Sequence, residues 1–499
     1  MASEGFSDDE GEASKRPAVQ VGDPFEEKRL IEACLTLLEA GLAVGVQDLG
    51  AAGITGATSE TAGRAGSGLD LDVSAVHRRE PGMEPWEVMT SESQERMLAI
   101  VTPANLAEVE ALCDRWEVEH AVIGRVTDSG RLRVLSSVGG EVLADMPASS
   151  LSDGGPRYDR PVAPRPEPDT TPLDVGDPSR RLLDSLCDMS WVSSQYDSQL
   201  FLNTVEGPGG DATVLRLKHP TSGADTGRGL ALTTDGNHRW CAADAYNGSA
   251  AVVAESLLNL ACVGARPLAL VNCLNFGNPE HPEVMRQLSD CIDGMADACR
   301  AFGIPVVGGN VSLYNESRGK DIDPTPVIGL LGMVDDLRRR PPGVRLTAGD
   351  TLVVLGAPSA DLRPVPTFSL RDVSATATLV RGLVADGLLS GVHDVADGGL
   401  ATCLGELVAR SGVGCRVGVD GVGGLFSEAV GRVVAAVPAA ALAELRSRAE
   451  VAGVAVSELG TAGGDRLVVD GLVDLAVTEV VTTYRDKLPN AMAAGATHD

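Results

Sequence analysis

Apolar residues recur with a helical period in residues 25–43, at Leu30, Ile31, Cys34, Leu35, Leu37 and Leu38. The next stretch, VGVQD (44–48), reads as a short strand, and LGAAGITGATSETA (49–62) as a Gly/Ala loop entering a helix. GLDLDVSAV (68–76) alternates as a strand. SESQERMLAIVTP (91–103) opens as a polar turn and runs into what reads as a buried strand. NLAEVEALCDRWEV (105–118) is an amphipathic helix, followed by a strand, turn and strand in HAVIGRVTDSGRLRVLS (120–136). The pattern predicts one α/β region over 18–150, a Pro/Asp/Gly/Ser-rich linker over 151–175, and two further α/β regions over 176–335 and 345–485. Residues 1–17 read as a disordered acidic N-terminus and 486–499 as a disordered tail.

The third region repeats the first. GLAVGVQDLGAAGI (41–54) has an echo in GLLSGVHDVADGGL (387–400), which aligns Asp48 with Asp394. SESQERMLAIVT (91–102) aligns with SEAVGRVVAAVP (427–438), pairing Glu92 with Glu428. Glu92 to Gly124 and Glu428 to Gly460 both span 32 residues, whereas Asp48 to Glu92 spans 44 and Asp394 to Glu428 spans 34. A gapless match across a helix and its flanks points to duplication, with the length difference in a loop. With the repeated region called B and the middle one A, the order is B1-A2-B2. The expectation is that B1 also has an A partner, which the chain does not supply.

Composition narrows the function. The 499 residues fit about three domains. Aromatics are only 3%, so the core is built from Val, Leu, Ile and Ala. A net charge of −29 without a Lys/Arg cluster argues against a nucleic-acid surface. It does not argue against a phosphorylated ligand, which backbone N–H groups can bind. The ten Cys show no C-x-x-C spacing and read as reduced core residues. No signal peptide and no run of 18 apolar residues is present, so a cytoplasmic protein without membrane spans is expected.

Several polar groups are candidates for chemistry. Gln20, in VQVGDPF, offers an amide donor and an acceptor, while Asp23 in the same stretch is a helix-cap residue. Asp48, at a strand end before small residues, suits Mg²⁺ beside phosphates, or equally a role in satisfying loop amides. Glu92, Ser93 and Gln94 could orient a polar ligand or form a capped turn. Asn272 lies in the Asn-rich LVNCLNFGNPEHPEV (270–284). Gly309, Asn310 and Ser312, in IPVVGGNVSLYNE (304–316), read as a phosphate and metal loop at a strand's end. No Walker A loop, Rossmann fingerprint, serine elbow or Gly-x-Cys-x-Gly elbow is present, so glutamine hydrolysis by this chain is not expected.

RPAVQVGDPFEEKRLIEACLTLLEAGLAVGVQDLGAAGIT, NCLNFGNPEHPEV, PVVGGNVSLYNE, GVHDVADGG and LFSEAVGR together resemble the synthetase subunit of phosphoribosylformylglycinamidine synthase in its small bacterial form, over Arg16 to about residue 480. The resemblance implies an α/β (α+β) fold of repeated domains like the N-terminal (A) and C-terminal (B) halves of aminoimidazole ribonucleotide synthetase. It implies conversion of formylglycinamide ribonucleotide to formylglycinamidine ribonucleotide, with ATP and Mg²⁺, in purine biosynthesis. A separate glutaminase subunit would supply ammonia and a small assembly subunit would complete the complex. By the same resemblance Gln20, Glu92, Ser93, Gln94 and Ser312 would bind substrate, Asn272 and Gly309 the nucleotide, and Asp48 and Asn310 Mg²⁺.

One departure bears on activity. The family's A domain preceding the position of Gln20 carries a Glu-Ser-His-Asn-His-Pro-Ser segment with the catalytic histidine, and no histidine here sits in that context. No catalytic residue is therefore named, and the chain as it stands is expected to be incomplete and inactive alone. Aminoimidazole ribonucleotide synthetase and selenophosphate synthetase, each with a single A-B pair, fit the duplication less well. The remaining alternative is a non-catalytic assembly or regulatory subunit that binds ADP in the A2-B2 half.

Overall fold

The computed structural model describes residues 22–78, 80–152 and 154–495, and the chain divides into two compact units at Asp159/Arg160. Residues 1–17 and Gln20 lie outside the described residues.

In the first unit Asp23 starts α1 (Pro24–Glu39), its carboxylate accepting from the N–H groups of Phe25 at 3.0 Å and Glu26 at 3.2 Å. Then follow β1 (Ala43–Asp48), α2 (Gly53–Ala65), β2 (Gly68–Asp72), α3 (Pro85–Thr90), β3 (Met97–Val101), α4 (Leu106–Trp116), β4 (Gly124–Thr127), β5 (Arg131–Leu135) and β6 (Val142–Pro147). β1 pairs antiparallel with β3, and the other strands form a sheet in the order β4-β2-β5-β6. Apolar residues of α1 and α4, including Leu37 and Leu112, make one core cluster. Ile54 of α2 packs with Leu69, Leu71, Leu132 and Val134 in another.

The second unit contains α5 (Pro178–Ser185), α6 (Ser190–Ser193), β7 (Thr204–Glu206), β8 (Thr213–Lys218), β9 (Asp225–Asp235), α7 (His238–Ala243), α8 (Ala245–Cys262), β10 (Arg266–Asn275), α9 (Pro282–Phe302), β11 (Val306–Ser312), β12 (Glu316–Ser317), β13 (Lys320–Asp321) and β14 (Thr325–Val334). It continues with β15 (Thr351–Leu355), α10 (Leu370–Ala385), β16 (Gly391–Val395), α11 (Gly399–Ser411), β17 (Cys415–Val417), α12 (Gly421–Phe426), β18 (Arg432–Val437), α13 (Leu442–Ala452), β19 (Val456–Ala462), β20 (Arg466–Val469), β21 (Val473–Ala476) and α14 (Val477–Gly495). Its two large sheets run β11-β10-β14-β9-β8-β7 and β16-β18-β15-β19-β17-β20-β21. The Ala-rich helix α8 is buried almost throughout, and its small residues let α9 approach. The Ser249 hydroxyl donates to the Cys291 carbonyl at 3.0 Å, and a Cβ on Gly294 would collide with the Tyr246 carbonyl.

The structure departs from the sequence reading in four places. β3 is half-exposed rather than buried, because among the described residues only one of its edges is paired. The Gly-Gly-Asn-x-Ser segment is not a loop after a strand but lies within β11, held in register by β10. Residues 486–495, expected as tail, continue α14, which is anchored by buried Tyr484 and by the Lys487 ammonium donating to the Asp184 carbonyl. The later part of the expected 151–175 linker belongs to the second unit, where Arg165 pairs with buried Asp290 at 2.7 Å. Among the described residues no helix is long and apolar enough to cross a membrane.

Candidate functional site

In the first unit the candidate residues gather around the start of α2. Ala52 (φ 57°) and Gly53 (φ 54°) are both left-handed, which turns the chain sharply from β1 into the helix. The Ala52 N–H donates to Glu92 Oε1 at 3.1 Å. Gly53 lies so close to the Ser91 carbonyl that a Cβ would collide with it. Ser93 Oγ lies 2.9 Å from Ser91 Oγ, Gln94 Nε2 donates to the Glu92 carbonyl at 3.1 Å, and Arg96 donates to the carbonyls of Ser93 (3.0 Å) and Ser91 (2.5 Å). Asp48, at the end of β1, is exposed and accepts from Gln47 Nε2 at 2.9 Å. Gly50 stays bare beside it, since a Cβ there would stand 2.8 Å from Asp48 Oδ2. The arrangement offers an exposed hard-oxygen ligand and a polar loop fixed by its own backbone, chemistry suited to a cation and a polar, phosphorylated ligand.

In the second unit Asn272 and Gly309 are register partners on β10 and β11. A Cβ on Gly309 would collide with the Asn272 amide oxygen, so glycine is required there by close approach. Asn310 is opposite Cys273, with its Nδ2 3.9 Å from Cys273 Sγ, and Ser312 is opposite Asn275. Strand alternation therefore sets Asn272 and Gly309 on one face of the sheet, and Asn310 and Ser312 on the other. Ser312 Oγ donates to Asn315 Oδ1 at 3.2 Å, while Asn315 donates to the carbonyls of Phe276 and Ser312.

A second constellation in this unit went unrecognised in the sequence. A cleft of about 1010 Å³ is lined by Asp211, Asp235, Glu255, Asn259, Asp394 and Glu428, with Arg181 and Arg239 also on its walls. Asn259 Nδ2 donates to Asp235 Oδ1 at 2.8 Å. Asp235 Oδ2, Asn259 Oδ1 and Asp394 Oδ2 are buried without a hydrogen-bond partner. Burial raises the Asp235 carboxyl. Glu255 is pushed well up by burial and by the neighbouring Asp235 carboxylate. Asp394 is pushed up to about 8 by burial and then by the Asp211 carboxylate. His393 lies 3.5 Å from Asp394 Oδ1, but the three oxygens themselves have no hydrogen-bond donor, and a divalent cation is a species that would satisfy them.

Asp211, His393 and Asp394 could also be grouped as metal ligands. His393 is already engaged on both nitrogens, by Asp211 at 2.5 Å and Glu406 at 2.8 Å. Burial favours its neutral form, but the Asp211 carboxylate and its hydrogen bonds outweigh that and hold the ring protonated. A protonated imidazole is not a ligand, so the oxygens of Asp235, Glu255, Asn259 and Asp394 fit a cation better. The signal was available in the sequence: Glu255 and Asn259 are four residues apart in a mostly apolar, Ala-rich helix, hence on one face.

The family described as AIR synthase related protein, C-terminal domain, matches residues 1–136 and again 348–471. The AIR synthase related protein, N-terminal domain, matches residues 209–334 between them. The repeated fold read from the sequence, in the order B1-A2-B2, agrees with these matches. Phosphoribosylformylglycinamidine synthase subunit PurL of Anaeromyxobacter dehalogenans is 41% identical over 546 residues, covering 100% of this chain and 70% of the relative. That of Moorella thermoacetica is 41% identical, covering 99% and 70%. Among solved structures, T. maritima PurL complexed with ATP is 29% identical with a TM-score of 0.66, covering 90% of this chain and 69% of that one. T. maritima PurL complexed with FGAR is 29% identical with a TM-score of 0.67, covering 89% and 66%. The chain belongs to the phosphoribosylformylglycinamidine synthase subunit PurL family, a family of ligases.

Proposed function

We propose that this chain takes part in the ATP-dependent conversion of formylglycinamide ribonucleotide (FGAR) to its amidine, in the cytoplasmic synthesis of purines. The observation that carries this reading is the Ala52–Glu92 hydrogen bond, which fixes the Glu-Ser-Gln loop beside Asp48 in a chain 41% identical to PurL. Glu92, Ser93 and Gln94 would orient FGAR, with Gln20 and Ser312 as further contacts. Asn272 and Gly309 would contact the nucleotide. Asp48 and Asn310 offer carboxylate and amide oxygens of the kind that hold Mg²⁺, which when bound neutralises phosphate charge. The roles of these residues are to bind and orient.

Ammonia would come from a separate glutaminase subunit, with a small assembly subunit as a further partner. A chain of PurLQS from Thermotoga maritima, 28% identical with a TM-score of 0.65, supports work within a multi-subunit assembly. Four of the thiols fit it. Burial pushes Cys34, Cys113 and Cys299 up, and Cys415 up to about 12, the opposite of what an activated nucleophile needs.

Thermal-shift titrations with FGAR and with a non-hydrolysable ATP analogue plus Mg²⁺ test this reading. Each ligand is expected to raise the melting temperature saturably. No shift with either ligand would overturn it.

A second reading concerns the acidic cleft of the second unit. Three buried oxygens without partners favour a divalent cation there, together with an anionic ligand such as ADP. T. maritima PurL complexed with ADP is among the similar structures, with a TM-score of 0.64 at 29% identity. This site would bind rather than turn over its ligand.

A further inference from the structure

Four arginines, Arg340, Arg345, Arg410 and Arg485, line a pocket of about 470 Å³ in the second unit. Arg340 and Arg345 come from the connection between β14 and β15, Arg410 from the end of α11 and Arg485 from α14. The pocket shares Gly210, Asp211, Ala212 and Tyr484 with the acidic cleft and none of its other walls.

The carboxylates on this wall are engaged elsewhere. Asp211 accepts from protonated His393 at 2.5 Å, and Glu206 from Arg340 at 2.7 Å. Asp188 accepts from the Ser190 N–H at 2.8 Å. Among the described residues no carboxylate lies within ion-pair distance of Arg345, Arg410 or Arg485. Like charges gathered around one cavity repel, and an anion between them turns that cost into charge-assisted hydrogen bonds. In a chain of net charge −29 such a gathering is not a by-product of an excess of arginine.

The donors are also held in place. Arg345 Nε donates to the Ser390 carbonyl at 3.1 Å. A Cβ on left-handed Gly209 would stand 2.5 Å from Arg410 Nη1, so that guanidinium lies against bare backbone. Tyr484 is 7% exposed, and burial pushes its hydroxyl up against the opposing influence of the neighbouring Arg410, which keeps it a neutral donor. Pro341 and Pro342 are buried and stiffen the connection that carries Arg340 and Arg345.

Size and lining narrow the ligand further. The cavity falls within the range of about 300–1000 Å³ typical of small-molecule sites, which leaves room for more than an inorganic anion. Ala212, Val263 and Val344 supply a buried apolar part of the wall. Three guanidinium groups match the roughly threefold negative charge and the paired oxygens of a diphosphate better than a single carboxylate.

We propose that this pocket binds a small organic diphosphate, with Arg345, Arg410 and Arg485 on the diphosphate and the organic group against Val263 and Val344. None of these side chains is among those assigned above to FGAR, the nucleotide or Mg²⁺, so the site is an additional one.

The test is isothermal titration of the full chain with inorganic pyrophosphate and with phenyl diphosphate, in buffer containing EDTA so that no cation bridges the probe to the acidic cleft. Saturable one-to-one binding of both is expected, tighter for phenyl diphosphate. The double variant Arg345→Gln, Arg485→Gln changes two exposed side chains and should melt no lower than the parent, yet bind both probes at least about tenfold more weakly. The proposal is overturned if neither probe binds, if the double variant binds as the parent does, or if pyrophosphate binds more tightly than phenyl diphosphate. It is also overturned if Arg181→Gln, on the cleft wall, weakens binding as much as the double variant does.

Discussion

Glu92 and Glu428 make the same hydrogen bond in two different units. Glu92 Oε1 accepts from the Ala52 N–H at 3.1 Å, and Glu428 Oε1 accepts from the Gly398 N–H at 2.8 Å. The surroundings repeat as well. Arg96 donates to the carbonyls of Ser93 and Ser91, and Arg432 to those of Ala429 and Ser427. What differs is exposure, for Arg432 and Ala429 are buried while Arg96 and Ser93 are half-open, Ser91 and Ser427 being buried in both. One loop design is thus half-open in one unit and lines an acidic cleft in the other.

The left-handed Gly53 is a steric requirement of that loop. Gly53→Ala adds a left-handed backbone penalty and drives a methyl into the Ser91 carbonyl, so a loss of about 2–4 kcal/mol is expected. Urea denaturation followed by a probe in the first unit measures it. A cost under about 0.5 kcal/mol would show that the loop relaxes freely.

Arg432 is held without a carboxylate among its hydrogen-bond partners, and burial pulls its guanidinium down to about 10. Arg432→Met leaves two buried carbonyls unsatisfied and is expected to cost about 2–4 kcal/mol. Arg96→Met should cost less, because Arg96 and Ser93 are half-open and water can reach the Ser93 carbonyl it abandons. Equal losses in chemical denaturation of the two variants would contradict this account of burial.

Acid stability provides a separate check. Asp361 is held down to about 2 by the Arg363 guanidinium, with further hydrogen bonds from the Arg363 and Thr367 backbone outweighing the effect of burial. A depressed carboxyl binds its proton more weakly in the folded than in the unfolded chain. Its contribution is therefore fully present above its ordinary value near 4 and is lost as pH falls toward 2. Melting curves of Asp361→Asn should show less loss of stability between pH 4 and 2 than the parent, and parallel curves would rule the pair out as a contributor.

Much of this was legible in the sequence, for physical reasons. Asp23 capping α1, the strand ending at Asp48 and the 32-residue spacing from Glu92 to Gly124 all depend on local chemistry or chain spacing. The exposure of β3 was not legible, because burial of an apolar strand depends on a neighbour distant in sequence. The Gly-Gly-Asn segment looked like a loop because glycine usually punctuates. Here Gly309 serves close approach to Asn272 across a parallel ladder, which only the register reveals. The acidic cleft was missed because its members come from five separate segments around Asp211, Asp235, Glu255, Asp394 and Glu428.

The cation reading of that cleft has its own measurement. Mg²⁺ should raise the melting temperature of the parent chain, and the double variant Asp235→Asn, Glu255→Gln should lose that rise while melting no lower in metal-free buffer. Undiminished Mg²⁺ stabilisation in the double variant would place the cation elsewhere.

Isothermal titration of FGAR tests the central claim most directly, comparing the parent chain with Glu92→Gln in the presence of Mg²⁺. Glutamine keeps the oxygen that accepts from Ala52, so the loop is preserved while the charge is removed. The account predicts saturable FGAR binding by the parent and a loss of about tenfold or more in the variant. No binding by the parent, or equal binding by both, would contradict it.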